Sequence, residues 1–138
     1  MEDPQFPALI AEYARESAVE GLPPPDAKMA TYLAMDGTGM LHPLGVWRDG
    51  WLVGFLSVLT PILPHYGALV AVAESFFVSA PHRKGGAGLR LLKEAERIAE
   101  EAGSPGIFVS APISGILIEI LPRRGYTETS RVFFKKVP

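Results

Sequence analysis

The 23 residues from Trp51 to Ala73 contain no Asp, Glu, Lys or Arg, and this uncharged stretch constrains the fold more than any other feature. A stretch of that length could cross a membrane as a helix. Its middle, however, holds Pro61, Pro64 and Gly67, and its flanks are rich in the β-branched and aromatic residues that favour strands. We therefore expect two buried strands joined by a loop rather than a membrane helix.

Composition places the chain among globular proteins. Its 138 residues are 48% hydrophobic and 20% charged, which is enough apolar surface to fill a core and excludes wholesale disorder. A chain of this length typically forms one compact domain. Thirteen Lys and Arg against fifteen Asp and Glu give a net charge of −2, so nucleic acid is not expected as the primary partner.

Two absences in the sequence exclude further classes of protein. The chain has no cysteine, which removes disulfide frameworks, zinc–thiolate sites, iron–sulfur clusters and cysteine nucleophiles but leaves the redox compartment open. The start, Met1 to Phe6, is acidic and lacks both the basic and the apolar region of a secretory signal. We therefore expect a cytoplasmic protein that does not associate with a membrane.

Apolar spacing and turn residues divide the first half of the chain into elements. Apolar residues at helical spacing predict a helix that ends before Gly21, and Asp26 is placed to cap a short second helix that ends near Asp36. Arg48-Asp49-Gly50 joins two apolar runs, 44–47 and 51–59, which is a good hairpin signal. Residues 68–79 read as the next strand, so two helices are predicted to precede an antiparallel meander.

The second half of the chain alternates helices and strands. Residues 86–102 carry the clearest amphipathic helix, 106–110 a short strand, 113–121 a second helix that Pro122 ends, and 126–136 a last strand. No linker long enough to separate two domains interrupts this order. The pattern predicts an α+β fold in α/β/α layers, with a mixed, mostly antiparallel central sheet and helices on both faces.

The segment from Val78 to Leu89 is the most informative for chemistry, because a predicted strand exit, a basic pair and three glycines precede a helix. Backbone N–H groups at a helix N-terminus carry partial positive charge, and glycine lets a phosphate approach the main chain closely. Arg83 and Lys84 would add full charges. The segment predicts a phosphate-binding loop; the alternative is a glycine-rich turn that only connects a strand to a helix.

Two common phosphate-binding motifs do not fit this segment. A P-loop requires a Lys and then a Ser or Thr after its last glycine, but Gly88 is followed by Leu89 and Arg90. A dinucleotide-binding fingerprint requires a third glycine where this chain has Leu91. Its strand would also have to open a βαβ unit, whereas the strand predicted here belongs to a meander.

The order Arg83-Lys84-Gly85-Gly86-Ala87-Gly88 resembles the acetyl-coenzyme A loop of the GNAT acyltransferase superfamily, Arg/Gln-x-x-Gly-x-Gly/Ala. The context is similar too, because an amphipathic helix, a strand, a second helix and the pair Gly125-Tyr126 follow in order. The resemblance covers about residues 44–137. The string from Glu74 to Gly86 is also similar to a small branch of the superfamily found in phages and prophages.

The resemblance implies that residues 1–138 form a single acetyltransferase domain. Residues 1–40 would be a helical segment on the acceptor side, and residues 41–138 the sheet and the acetyl-CoA-binding core. Acetyl-CoA would be the co-substrate, with direct transfer of its acetyl group to an amine. Because relatives often dimerise through the sheet or its last strands, a homodimer is expected.

The resemblance also implies roles for individual residues. The pyrophosphate would lie on the glycine-rich loop, formed by Arg83, Lys84, Gly85, Gly86, Ala87, Gly88 and Leu89. The backbone of Phe77 and Val78 would pair with the pantetheine arm where the sheet splays open. The N–H of Val78 would face the thioester oxygen and stabilise the oxyanion that forms as an amine attacks.

Three positions depart from the family pattern or only partly fit it. Ser114 stands where many relatives have an Asn that bonds pantetheine, although a helix N-cap explains this serine equally well. Leu121 stands where many relatives have a tyrosine that protonates the departing thiolate, so that general acid is missing. The usual first strand is not visible in Met1 to Gln5, and the sheet is expected to lack it.

The resemblance implies that the strand leading to the loop lines the acceptor site, and Glu74 is the candidate general base because it is the only titratable residue of that strand. Relatives use a Glu or His on this strand to take the amine proton. Period-two alternation places Glu74 on one face with Val72, Phe76 and Val78, where burial among apolar neighbours would suit it to taking a proton near neutral pH. The alternative is a carboxylate that bonds a neighbouring strand or is exposed at a sheet edge.

The remaining polar candidates carry less information. Tyr32, His65 and Tyr66 are candidate contacts to the acceptor, although an isolated His or Tyr is more often a packing or surface residue. The three histidines are too scattered along the chain to predict a metal site, and no metal is expected.

The resemblance thus implies an N-acetyltransferase that acts on an unidentified small-molecule or peptide amine. Leu121 motivates the alternative of a non-catalytic acetyl-CoA-binding or interaction module. A third alternative is acylation of a macromolecule, either a protein terminus or a modified base, and the net charge of −2 argues mildly against the base.

Overall fold

The computed structural model describes residues 6–17, 20, 40–113 and 115–138. Its helices are α1 (Phe6–Ser17), α2 (Ala87–Glu101) and α3 (Leu117–Arg123), and a single 3-10 turn spans Ala80–His82. Its strands are β1 (Leu41–Arg48), β2 (Trp51–Leu59), β3 (Ile62–Leu63), β4 (Ala68–Leu69), β5 (Ala71–Val78) and β6 (Ile107–Val109). The main sheet has the order β1-β2-β5-β6, while β3 and β4 form a separate pair.

The predicted hairpin around Asp49 is confirmed. β1 and β2 pair antiparallel, and the turn between them has Asp49 at φ 51° and Gly50 at φ 81°. A two-residue hairpin turn of this kind requires positive φ at both central residues, which Asp and Gly adopt readily. β1 begins at Leu41 rather than at Leu44.

The uncharged stretch forms strands, as its prolines and β-branched residues predict. β2 is buried along nearly its whole length, and Leu56 and Val58 are fully enclosed. In the part of the chain that the structure describes, no helix is long and apolar enough to span a membrane.

The strand predicted over residues 68–79 is interrupted at Val70. The residues before it form β4, which pairs with β3, whereas β5 starts at Ala71 and runs antiparallel to β2. The N–H of Val70 donates to the carbonyl of Pro61 at 3.0 Å and closes the β3–β4 hairpin. One predicted strand is therefore two, on two different sheets.

Helices lie on both faces of the main sheet, which confirms the predicted layering. Along β2, Leu56 and Val58 pack with residues of α2, whereas Phe55 packs with Leu9 of α1. Tyr13 of α1 completes the second cluster, because its ring lies edge-on to Phe55 at 5.4 Å between centroids. The cluster on the α2 side also contains Val46, Val53, Ala71, Ala73, Val78, Ala87, Leu91, Ala95 and Ala99.

The last helix differs from its prediction in both bounds. α3 starts at Leu117 rather than at Ile113, and it contains Pro122, which the sequence predicts to end it. The final turn closes by short-range bonds, such as that from the N–H of Arg124 to the carbonyl of Leu121 at 2.9 Å. Gly125, at φ 88°, then ends the helix in the left-handed conformation.

The strand predicted over residues 126–136 is not formed. A strand exists only where its backbone groups pair with a neighbour, and within the described residues no strand partner is present for residues 127–138. The side chains of Val132 and Phe133 are 92% and 89% exposed. The hydroxyl of Tyr126, at the start of this segment, donates to Glu96 of α2 at 2.6 Å. The residues after Tyr126 form no helix or strand.

Two predictions fall outside the described residues. They are the short second helix between Asp26 and Asp36, and the missing first strand in Met1 to Gln5. Both stay predictions.

Candidate active site

Within the described residues, β5 has a paired neighbour on both sides only at Val72 and Ala73. Ala71, Val72 and Ala73 pair in parallel with β6, and the pairing ends there. From Glu74 to Val78, β5 continues beside β2 alone within the described residues. The two parallel strands therefore diverge after Ala73. We call the unpaired edge of β5 from Glu74 to Val78 the open edge, and it agrees with the splayed sheet that the resemblance implies.

The backbone of Val78 faces the open edge. Val78 lies opposite Gly54 of β2, and the N–H of the next residue, Ser79, donates to the carbonyl of Val53 at 2.7 Å. In an antiparallel ladder this pattern marks a pair without mutual hydrogen bonds, so the N–H and C=O of Val78 point away from β2. The carbonyl of Val78 accepts a hydrogen bond from Nε of Arg83 at 2.7 Å. The N–H of Val78 points to the side of β5 that is opposite to β2.

The same alternation turns the backbone of Phe77 the other way. Phe77 lies opposite Phe55, so its N–H and C=O point toward β2. This register does not fit the prediction that the Phe77 backbone pairs with a pantetheine arm, and Phe76, opposite Leu56, presents its backbone to the open edge instead. The Phe77 side chain has a packing role, with its ring centroid 5.2 Å from Cζ of Arg83.

Glu74 lies at a β-bulge where β5 and β6 diverge. Ser57 and Val58 of β2 are opposite Ser75 and Ala73, so Glu74 is the extra residue. The bulge breaks the alternation on which its predicted burial depends, and the Glu74 side chain is exposed. Its Oε2 accepts a hydrogen bond from Oγ of Ser75 at 2.6 Å. The predicted burial is therefore wrong, although Glu74 does stand at the start of the open edge.

The glycine-rich loop after β5 leads into the N-terminus of α2. Gly86 is the N-cap residue at φ 80°, and its carbonyl accepts the first helical hydrogen bond, from the N–H of Arg90 at 3.1 Å. The N–H groups of Ala87, Gly88 and Leu89 come before that bond and have no acceptor within the helix. No side chain caps them at Gly86. This geometry fits the predicted anion-binding loop, and we call these groups the N–H cradle.

Arg83 is held by α1 rather than directed at the N–H cradle. Its Nη2 lies 2.6 Å from Oε1 of Glu16, while its Nε bonds the carbonyl of Val78. The guanidinium thus joins α1 to the open edge. Lys84, the other cation that the sequence predicts for the loop, is exposed.

Glu12, one turn before Glu16 on α1, holds the exit of β5. It accepts hydrogen bonds from Oγ of Ser79 at 2.9 Å and from the N–H of Ala80 at 3.2 Å. Sequence reasoning misses both glutamates. Their spacing of four residues on one helix is the only local signal, and it does not reveal a partner 67 residues away.

Arg48 is a further residue that sequence reasoning misses. It ends β1, and its Nη2 donates to the carbonyl oxygen of Gly85 in the glycine-rich loop, 37 residues later. In the sequence Arg48 stands out only as part of the hairpin turn, and nothing in the local pattern connects it with the loop.

The predicted acceptor contacts His65 and Tyr66 lie away from the N–H cradle. They occupy the β3–β4 turn, where the ring of Tyr66 stacks on Phe108 of β6 at 6.0 Å between centroids. Phe108 is paired with Val72. The strand rise places Val72 roughly 20 Å from Val78, so the structure does not bring these rings to the end of β5.

Three further predictions concern Tyr32, Ser114 and Leu121. Tyr32 and Ser114 lie outside the described residues and stay predictions. Leu121 is only 7% exposed, on the inner side of α3, and supplies no acid. Across residues 6–17, 20, 40–113 and 115–138, no three His, Asp or Glu side chains are grouped so that they could hold a metal ion.

Comparison with known proteins extends these observations. The model of the acetyltransferase (GNAT) family matches residues 6–112. No sequence among the curated proteins matches the chain closely enough to count as a relative.

Several solved structures share the fold. The ribosomal-protein-alanine N-acetyltransferase of Brucella melitensis biovar Abortus 2308 is 21% identical with a TM-score of 0.68, over 95% of this chain and 89% of that chain. An aminoglycoside 6'-N-acetyltransferase from Acinetobacter haemolyticus is 17% identical with a TM-score of 0.71, over 100% of this chain and 97% of that chain. An aminoglycoside N-acetyltransferase in complex with CoA is 23% identical with a TM-score of 0.63, over 80% of this chain and 88% of that chain. At these identities the similarity establishes the fold.

Proposed function

Because the chain belongs to the acetyltransferase (GNAT) family, we propose that it is a single-domain N-acetyltransferase that moves the acetyl group of acetyl-CoA to an amine. The open edge carries this proposal, because it leads directly to a helix N-terminus whose first N–H groups have no acceptor within the helix. A helix N-terminus binds anions, and an extended amide chain pairs with an unpaired strand edge. Coenzyme A contains both partners, a pyrophosphate and a pantetheine arm with two amides.

In the proposed complex the pyrophosphate lies on the N–H cradle, beside Lys84, and the pantetheine arm runs back along the open edge toward Glu74. Val78 and Phe76 direct their N–H groups to this path. We assign to them the hydrogen bond to the arm and the stabilisation of the oxyanion. Because the thioester is at the end of the arm remote from the pyrophosphate, the N–H of Phe76 lies nearer to the thioester than the N–H of Val78, for which the resemblance implies the oxyanion role.

Glu74 is proposed as the general base of the reaction. The amine nitrogen attacks the thioester carbon, and Glu74 takes the amine proton directly or through a water molecule. The C–S bond then breaks, the acetyl group stays on the amine, and the CoA thiolate leaves. Since Leu121 occupies the position of the usual acid, solvent water supplies the proton to the thiolate.

The acceptor is proposed to be a small-molecule or peptide amine. Structural neighbours include enzymes named for aminoglycosides and for the alanine of a ribosomal protein. A panel of acceptors should therefore contain an aminoglycoside and a peptide with an N-terminal alanine. The cytoplasmic location and the phage or prophage origin stay predictions from the sequence.

Release of free CoA from acetyl-CoA, measured with this panel, tests the proposed activity. Glu74→Gln is expected to lower kcat about a hundredfold at neutral pH and to leave the affinity for acetyl-CoA nearly unchanged. Glu100→Gln is the matched control, because Glu100 is an exposed residue on α2. An unchanged rate in Glu74→Gln would show that another group is the base.

A second candidate function is a non-catalytic acetyl-CoA-binding module. It is supported by the buried Leu121 in place of an acid and by the exposure of Glu74. Binding of acetyl-CoA without release of CoA on any amine of the panel would favour this module over the enzyme.

We also propose that the protein is a homodimer. Val132, Phe133 and Phe134 are 92%, 89% and 50% exposed, and clustered exposed apolar residues mark contact surfaces. Residues 127–138 carry three basic residues and one acidic residue in a chain of net charge −2, so this segment is attracted to the remainder of a second copy. Sedimentation equilibrium should show a dimer that Phe133→Ser dissociates, and a monomeric wild type would contradict the proposal.

A further inference from the structure

Arg48 contacts Gly85, the residue immediately before the N-cap of α2. Arg48 ends β1, and its Nη2 donates to the carbonyl oxygen of Gly85. A Cβ placed on Gly85 would lie 3.0 Å from that Nη2 and 3.4 Å from Cζ of Arg48, tighter than ordinary contact. The guanidinium therefore fills the space that the side chain of any other residue at position 85 would enter.

The peptide between Gly85 and Gly86 needs such a partner. A peptide flanked by two glycines has no Cβ to restrict its rotation, so its plane can turn over at low cost. In a trans peptide the carbonyl oxygen and the following N–H point in opposite directions. While Arg48 holds the oxygen of Gly85, the N–H of Gly86 points away from the hairpin. Gly86 is the N-cap of α2, so this N–H is adjacent to those of the N–H cradle.

We propose that Arg48 is a positioning residue of the CoA site, which fixes the Gly85–Gly86 peptide so that the N–H of Gly86 joins the N–H cradle. The inference rests on the proposed function, in which the anion on the cradle is the pyrophosphate. A rigid, planar guanidinium can hold a carbonyl in one direction, whereas a lysine ammonium supplies charge with less directional control. The role assigned to Arg48 is therefore one of geometry, and charge alone does not replace it.

Two acetyl donors, one with a pyrophosphate and one without it, test this role. Arg48→Met is expected to raise KM for acetyl-CoA about tenfold without changing kcat. The same variant should leave KM for S-acetyl-pantetheine unchanged, because that donor has no pyrophosphate to bind. Arg48→Lys should restore only part of the affinity for acetyl-CoA. Arg97→Met is the control, since Arg97 is an exposed residue of α2 that pairs with Glu94 and Glu101 of the same helix.

Gly85→Ala disturbs the same contact from the other side. Gly85 is not among the residues with positive φ, so alanine fits its backbone, and the added Cβ displaces the guanidinium. The double variant Arg48→Met/Gly85→Ala should bind acetyl-CoA no more weakly than the worse of the single variants, because both remove one interaction.

The outcomes separate this inference from the proposed function. If the wild type does not bind acetyl-CoA, both are overturned. If the wild type binds it and Arg48→Met binds equally well, only the role of Arg48 is overturned. Equal losses with acetyl-CoA and S-acetyl-pantetheine, full rescue by Arg48→Lys, or additive losses in the double variant would each also contradict it.

Discussion

Replacing Glu12 tests how α1 holds the end of β5. Its carboxylate accepts hydrogen bonds from the hydroxyl of Ser79 at 2.9 Å and from the N–H of Ala80 at 3.2 Å. A hydrogen bond to a charged group contributes ~1.5–3 kcal/mol, and less where solvent screens it. Since Glu12 is half-buried, we expect Glu12→Ala to lower the free energy of unfolding by about 1–3 kcal/mol in total. For a domain of this size, that lowers the Tm by several degrees.

A double-mutant cycle isolates the bond from other effects of the substitution. Urea unfolding of the wild type, Glu12→Ala, Ser79→Ala and the double variant should give a coupling energy of about 1 kcal/mol. Arg15→Ala is the control, because Arg15 is an exposed residue on the same helix. KM for acetyl-CoA should also rise in Glu12→Ala, since the exit of β5 loses its anchor. A coupling energy below about 0.3 kcal/mol would refute the proposed connection between α1 and β5.

Two further predictions concern the sheet and the C-terminal tyrosine. Gly54→Ala should lower the free energy of unfolding, measured with urea, by about 1–3 kcal/mol, because the added Cβ would lie 3.1 Å from the carbonyl oxygen of Phe77. Gly106→Ala is the control, since a Cβ there meets nothing within 4 Å. Equal stability of the two variants would contradict the register between β2 and β5. Burial, with a contribution from the hydrogen bond to Glu96, raises the pKa of Tyr126. The resulting stability is therefore fully present below the unfolded pKa of about 10 and is lost as the pH rises above it. Urea unfolding should show a steeper alkaline loss in the wild type than in Tyr126→Phe, and equal slopes would count against this reasoning.

Local sequence patterns predict the elements whose geometry is set by neighbouring residues. The hairpin at Asp49-Gly50 follows from two residues that accept positive φ. The amphipathic helix predicted over 86–102 appears as Ala87–Glu101, because its apolar period is continuous and a glycine stands at each end. The glycine-rich loop between β5 and α2 is likewise visible in the sequence, since glycine and helix-start signals are local.

Features that depend on distant partners cannot be read from the sequence in this way. The bulge at Glu74 is defined by the register against β2, and it changes the exposure of the carboxylate that alternation predicts to be buried. A strand over 126–136 requires a neighbour that the described residues do not provide. The side chain of Arg83 donates a hydrogen bond to Glu16, which is 67 residues away in the sequence. The side chain of Arg48 donates to Gly85, which is 37 residues away. Each of these outcomes is decided by tertiary contacts rather than by local preference.

In the proposed function, the open edge and the N–H cradle together form a site for acetyl-CoA. Thermal unfolding of the wild type with acetyl-CoA, CoA, ATP and NAD in parallel tests it most directly. A ligand at a hundredfold its Kd stabilises the folded state by ~2.7 kcal/mol, which is several degrees of Tm for a domain of this size. We expect acetyl-CoA and CoA to raise the Tm and ATP and NAD to leave it unchanged. No increase with either CoA compound, or a larger increase with ATP, would show that the open edge and the N–H cradle do not form an acetyl-CoA site.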